Sequence, residues 1–239
     1  MNDLDEIKNL IKKDTRIVFL GGAGVSTESG IPDFRSETGL YKMKQKYGLP
    51  YETMLSRSFF ESDPSSFYDF YWNYMVYENA KPNLAHKALA RFESEEGKIT
   101  ILTQNIDGLH FDAGSKNVLE LHGSVRRYSC LNCHKRYGLN EISHQGVPSC
   151  KCGGIIKPDV VLYEESLDEY LLEEAIKSLQ NADILIVGGT SLNVYPVAGL
   201  IRYFLGKARI IINKEKTNSD SYFDFVIHDD IGKVLDYLL

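Results

Sequence analysis

Short apolar runs alternate with stretches of helical periodicity along most of this chain. Ile17-Val18-Phe19-Leu20, Ile99-Thr100-Ile101-Leu102, Val118 to Leu121, Asp183 to Val187, Arg209 to Ile212 and Phe225-Val226-Ile227 have the length and branching of buried strands. Leu4, Ile7, Leu10 and Ile11 fall at helical spacing and predict an N-terminal helix packed on a sheet. Further helices are expected from Pro82-Asn83 to Gly97, with Leu84, Ala88, Leu89 and Phe92 buried, and over about Asp168 to Gln180, Tyr195 to Phe204 and Ile231 to Leu238. Repeated strand-then-helix order predicts an α/β fold built on a doubly wound, mainly parallel sheet.

Two stretches interrupt this rhythm. From Ser36 to about Ala80, Phe59, Phe60, Phe67, Tyr68, Phe70, Tyr71, Trp72, Tyr74 and Tyr77 crowd together, and Asp63-Pro64 marks a helix start. This reads as a small helical insertion whose rings form core, with some free to line an apolar slot. The second interruption holds all four cysteines, Cys130, Cys133, Cys150 and Cys152. Two close pairs separated by sixteen residues fit a structural tetrathiolate zinc site, because four protein ligands leave no open position for catalysis. His134 and His144 lie near enough in the chain to replace a thiolate, but the four cysteines are the preferred set.

The polar residues collect where apolar runs end. Ala23 to Arg35, Gln104 to Asp107, Gly189 to Ser191 and Asn213 all follow strands. In a parallel sheet these ends converge on one edge, where ligands bind. Gly21-Gly22-Ala23-Gly24 after the first run predicts a turn that lets backbone N–H groups approach a phosphate and opens a helix. It departs from the ordinary dinucleotide fingerprint: Thr27 holds the third glycine position, and Lys42 to Lys46 fill the region where a ribose-binding acid is expected. Gly30 and Pro32 cut the helix short, leaving Asp33, Phe34 and Arg35 on a loop over the nucleotide site. His122, between a strand and Gly123, stands beside the same crevice and suits a general base acting on a sugar hydroxyl. His86, His110, His134, His144 and His228 are assigned structural or surface roles.

At 239 residues the chain is long enough for a sizeable core. Its net charge of -6 disfavours binding nucleic acid through bulk electrostatics and is compatible with lysine-rich protein substrates. The charged N-terminal segment lacks a signal-peptide core, and no run reaches membrane-spanning length. A cytoplasmic protein that contacts neither membrane nor nucleic acid is expected.

Gly22-Ala23-Gly24-Val25-Ser26 with Gly30-Ile31-Pro32-Asp33-Phe34-Arg35 resembles the signature of the sirtuins, NAD-dependent protein lysine deacylases. Thr103 to Asp107, His122-Gly123, the cysteine pairs and Gly189-Thr190-Ser191-Leu192 resemble it too, in order over nearly the whole chain. The compact bacterial members are the most similar. The resemblance implies a Rossmann-type domain over 1–36, 81–126 and 155–239. It implies a small domain over 37–80 and 127–154, formed by the helical insertion and the zinc module. NAD is the implied co-substrate and zinc the implied structural metal. The implied partners are acetylated lysine-containing proteins or peptides, met by a monomer.

By the same resemblance, Gly22, Ala23, Gly24, Ser26, Thr27, Asp33, Phe34 and Arg35 hold or cover the cofactor. Gln104 meets the nicotinamide ribose, and Asn105, Ile106 and Asp107 line the nicotinamide pocket. Thr190, Ser191 and Asn213 lie near the adenosine half, and Asp230 and Ile231 near the adenine. Asn105, Asp107 and His122 are the implied catalytic residues. The acyl oxygen takes the place of departing nicotinamide, His122 helps deprotonate a ribose hydroxyl, and lysine, nicotinamide and O-acyl-ADP-ribose result. Lys157 to Glu165 resembles the segment on which the peptide adds as a strand. Val160 and Val161 wall the acyl-lysine tunnel, Tyr163 and Glu164 continue the segment, and Asn193, Val194 and Tyr195 flank the other side. Glu164 departs from the glycine, and Tyr163 from the phenylalanine, that many members carry. No arginine stands between Phe67 and Tyr77 to meet an acyl carboxylate, so acetyl or other uncharged groups are expected. Two competing readings share some features: an NAD-dependent ADP-ribosyltransferase and a non-catalytic NAD- or zinc-binding regulator.

Overall fold

Six parallel strands in a computed structural model, which describes residues 3–33, 48–95 and 97–239, form the main sheet. Its strands are β1 (Arg16–Gly21), β2 (Lys98–Thr103), β3 (Val118–Glu120), β7 (Ile184–Gly188), β8 (Ala208–Ile212) and β9 (Phe225–Ile227). Their order is β3-β2-β1-β7-β8-β9. The chain winds outward from β1 in one direction, then returns to β1 and winds outward in the other. The order therefore reverses between β1 and β7, which makes their carboxyl ends the ligand-binding switch point of a doubly wound sheet.

Alternation along β1 explains why its run reads as continuously apolar. Ile17 and Phe19 point into one buried cluster, shared with helices α1 (Asp3–Leu10), α5 (Leu84–Ser94) and α8 (Ile231–Leu238). Val18 and Leu20 point into the other, shared with helix α7 (Glu169–Asn181) and the turn at Val197–Tyr203. Both faces are covered, so neither register of polar residues is tolerated.

Most helix starts follow from their caps. Asp168 accepts from Leu171 N, and Asp230 accepts from Gly232 N and Lys233 N. Asn83 caps α5 and donates its Nδ2 to Val25 O at 2.7 Å, tying that helix to the turn after β1. Two expectations are corrected. Leu84 stays 40% exposed; it opens α5 against Gly232, which has no side chain to cover it. The stretch expected to be helical from Tyr195 to Phe204 is a 3-10 turn over Val197–Tyr203, with Pro196 before it and Gly199 inside weakening an α-helix.

The aromatic insertion folds as helices α2 (Tyr51–Met54), α3 (Arg57–Ser62) and α4 (Pro64–Tyr74). These pack on a second, antiparallel sheet of order β5-β4-β6, made of β4 (Gly123–Cys130), β5 (Arg136–Gly138) and β6 (Ile156–Val160). Phe60, Phe67, Tyr68, Tyr71 and Tyr128 share one core with Cys130 and Cys150. The crowded rings are thus mainly core, as expected. Tyr68 donates its hydroxyl to Ile156 O, which joins the helices to β6.

Two imidazoles are sealed beneath the switch point. His86 of α5 and His110 of helix α6 (Leu109–Ala113) are 0% and 2% exposed, with ring centroids 4.7 Å apart. Burial pushes His86 down to about 4 against the pull of Asp107 and Asp112; burial and the neighbouring His86 push His110 down to about 3. The unfolded chain takes up these protons near the ordinary histidine value of 6.5 while the folded chain refuses them, so stability falls as pH drops below that value. Melting temperature should therefore decline from about pH 7 to about pH 5, before most carboxylates titrate. His110→Phe should flatten that decline; an unchanged slope in the variant would contradict the assignment.

Candidate active site

The turn after β1 is built for close packing. Gly22 N–H donates to Gly188 O at 3.1 Å and Gly24 N–H to Gly189 O at 2.8 Å. A Cβ on Gly24 would lie 2.7 Å from Gly189 Cα, and one on Gly22 would lie 2.6 Å from Thr190 Cβ. These glycines let the loops after β1 and β7 touch, and their N–H groups serve that contact. The expected helix opening is replaced by two short 3-10 turns, Ala23–Val25 and Thr27–Ser29.

Polar side chains then bridge the strand ends. Ser26, 1% exposed, donates its hydroxyl to Asp107 Oδ2 at 2.7 Å and accepts from Asn105 Nδ2 at 3.0 Å. Asp107 Oδ1 accepts from Leu109 N–H at 2.9 Å, which starts α6. Gln104 Nε2 donates to Thr190 Oγ1 at 3.2 Å. Asn213 clasps Thr190, accepting its N–H at 3.1 Å and donating to its carbonyl at 3.0 Å. The four polar clusters read from the sequence are therefore one hydrogen-bonded system across the ends of β1, β2, β7 and β8.

His122 precedes β4 and faces the same place. Its Nδ1 lies 3.0 Å from Gln104 O. A carbonyl only accepts, so Nδ1 carries a proton, and in the neutral form of the ring the lone pair sits on Nε2. Gly123 holds φ at 78°, and a Cβ there would overlap Asp159 O at 1.9 Å. Only glycine lets the backbone just after the imidazole come this close to β6.

One cavity gathers many of the expected residues. Ala23, Ser26, Asp33, Gln104, Asn105, Ile106, Asp107 and His122 line it together with Val160, Val161 and Tyr163. Thr190 and Asn213 adjoin it through Gln104. Thr27 is exposed and donates to Gly24 O at 3.0 Å. Ser191 and Glu164 lie outside the lining, Asn193 is exposed, and Val194 accepts from Ala198 N. Asp230 caps α8 beside Lys214, and Ile231 is buried against Gly188. Phe34 and Arg35 lie outside the described residues.

Sequence reasoning missed the apolar wall formed by Tyr51, Leu55 and Met75, beside Tyr77. It also missed Arg126, whose Nε donates to Asp107 O at 3.1 Å. The signal for Arg126 was faint: Gly108 at φ 76°, where a Cβ would meet Arg126 Nε at 2.5 Å.

The four cysteine sulfurs lie within 4.8 Å of one another, the only such cluster among the described residues. Cys130 and Cys152 sulfurs are 3.5 Å apart, and those of Cys133 and Cys150 3.6 Å. Tetrahedral Zn–S bonds of about 2.3 Å imply S···S distances of roughly 3.8 Å, so the set fits zinc. Each pair is followed by a left-handed residue, His134 at φ 57° and Gly153 at φ 83°. Cys152 N–H and the Tyr137 hydroxyl pull the Cys150 thiol down to about 6. Although Lys135 N–H favours its thiolate, Cys133 is pushed up to about 12 by the sulfurs of Cys152, Cys150 and Cys130. Four thiolates so close call for a cation. His144 stacks on Trp72 and pairs with Glu78 instead of joining the set.

Fold and site together define a Rossmann-type α/β protein whose switch-point crevice opens beside a tetrathiolate module. Residues 22–196 match the model of the Sir2 family, and the chain belongs to that family. It is 54% identical to an NAD-dependent protein deacetylase of Clostridium acetobutylicum, over 100% of this chain and 99% of that one. A structure described as the basis for the mechanism and regulation of Sir2 enzymes superposes with a TM-score of 0.88 at 38% identity, over 100% of this chain and 97% of its own. A Sir2 solved with the inhibitor EX-527, 2′-O-acetyl-ADP-ribose and a deacetylated p53 peptide gives 0.81 at 35% identity, over 98% and 96%. No helix among the described residues is long and apolar enough to cross a membrane.

Proposed function

We propose that this chain deacetylates lysine side chains of proteins with NAD as co-substrate. Acetyl-lysine, NAD and water become lysine, nicotinamide and O-acetyl-ADP-ribose. The observation that carries this reading is the imidazole of His122, with its tautomer fixed by Gln104 O, in one cavity with Asp33, Asn105 and Asp107. A hydride-transfer site has no need of a base beside a ribose. Nε2 of His122 takes the proton of the ribose hydroxyl that attacks the acyl carbon. Asn105 commits one Nδ2 hydrogen to Ser26, which orients the amide and leaves Oδ1 and the second N–H for a ligand. Ser26, Leu109 N–H and Arg126 hold Asp107 and its backbone in place. Such preset dipoles suit the positive charge that builds on the ribose as nicotinamide leaves.

In this reading Ala23, Ser26, Thr27, Asp33, Phe34, Arg35, Gln104 and Ile106 hold the nicotinamide ribose half. Gly22, Gly24, Thr190, Ser191, Asn213, Asp230 and Ile231 shape the adenosine half. Val160, Val161, Tyr163, Asn193 and Val194 meet the peptide, and Glu164 belongs to the same segment. Zinc on Cys130, Cys133, Cys150 and Cys152 holds the small domain, made of 37–80 and 127–154, against the Rossmann-type domain. The protein acts as a cytoplasmic monomer.

The test is product analysis. With NAD and an acetyl-lysine peptide, each nicotinamide released should accompany the loss of one acetyl group and the appearance of O-acetyl-ADP-ribose. ADP-ribose attached to the peptide would overturn the reading in favour of transfer. Among the described residues lining the cavity there is no lysine or arginine, so a succinyl peptide, whose carboxylate would be buried unpaired, should turn over more slowly.

A further inference from the structure

The segment Val160 to Glu165 is fastened one residue at a time. Val161 N–H donates to His122 O at 2.9 Å, and Tyr163 N–H to Leu55 O at 3.0 Å. Tyr163 O accepts from Arg57 N–H at 3.0 Å. Glu165 receives Lys157 and Arg57, each at 3.1 Å. The segment thus spans from the backbone of the imidazole residue to α2 and α3.

Glu164 is the exceptional link. Its φ is 74°, in the left-handed region that penalises a Cβ. Its carboxylate accepts from both Ser58 N–H and Ser58 Oγ–H, at 2.9 Å each. Backbone strain of this kind persists where surrounding contacts over-determine it, and these two charge-assisted bonds do so.

We infer that Glu164 is a positioning residue for the peptide. By latching the segment to the first turn of α3, it fixes how Val160 to Tyr163 seats against Tyr51 and Leu55, all of which line the cavity. The inference rests on the deacetylase reading. The groups assigned to NAD at the ends of β1, β2 and β7 take no part in the latch, so its loss separates the two substrates kinetically.

Glu164→Gly relaxes the backbone and removes the latch. Peptide KM should rise about tenfold, as for a lost charge-assisted hydrogen bond, with NAD KM changing by less than about twofold and kcat falling less than KM rises. Glu164→Gln keeps an acceptor for Ser58 N–H and should recover most of the peptide KM. Amide exchange at Ser58 and Tyr163 should quicken in the glycine variant and not in the glutamine variant. An unchanged peptide KM, an equal rise for both substrates, or no recovery with glutamine overturns the inference. If the wild-type chain turns over no acetyl peptide, the deacetylase reading falls. Exchange rates and the anisotropy of a labelled acetyl-lysine peptide then decide the latch, and unchanged values in the glycine variant overturn it.

Discussion

His122→Ala should lower kcat/KM for deacetylation by about 10²–10⁴-fold, the usual contribution of a positioned general base. Two main-chain features prepare the imidazole. Gln104 O fixes the proton on Nδ1, and Gly123 allows the approach to β6 that aims the ring at the cavity. Alanine removes the base and leaves the Ser26–Asn105–Asp107 chain intact, so NAD should still bind. Because the proposed proton transfer follows the departure of nicotinamide, exchange of labelled nicotinamide into NAD should survive in the variant while acetyl loss disappears. Equal loss of both activities would place the imidazole's role at the earlier step. Full retention of deacetylation would remove it from the chemistry.

That site was largely legible because its parts sit at the ends of strands that are themselves legible. Ile17 to Leu20 and Ile184 to Val187 are covered on both faces, and such strands announce themselves as unbroken apolar runs. Features set by contacts between distant segments were hidden. The roles of Gly22 and Gly24 depend on Gly189 and Thr190, more than 160 positions away in the chain. Helix α6 covers only five residues after Gly108, too short for a periodic signal. Nothing in the sequence singles out Tyr51, Leu55 and Met75, because apolar spacing does not tell a buried face from a cavity wall. The left-handed backbone of Glu164 exists through Ser58, and no local pattern points to it.

Stripping the metal, or replacing Cys150 with serine, should unfold the cysteine module while the main sheet persists. Structural zinc in small modules contributes on the order of 10–16 kcal/mol, as much as the whole stability of an ordinary domain, about 5–15 kcal/mol. Between Cys130 and Cys150 only Pro148 is buried, so the loop has no core of its own to fall back on. The chain carries one tryptophan, and it reports on this loop: Trp72 Nε1 donates to Gly146 O at 3.1 Å, and its ring stacks on His144 at 4.9 Å. Chelation should therefore shift Trp72 emission toward that of exposed indole, with most far-UV dichroism retained. Cys130 pairs with Ile156 at the start of β6, whose far end is Val160, so peptide binding should weaken in step with the emission change. Added zinc should restore both in the wild-type chain and neither in Cys150→Ser. Unaltered emission and melting temperature after complete metal removal would mean that the aromatic core, not the thiolates, holds this part of the fold.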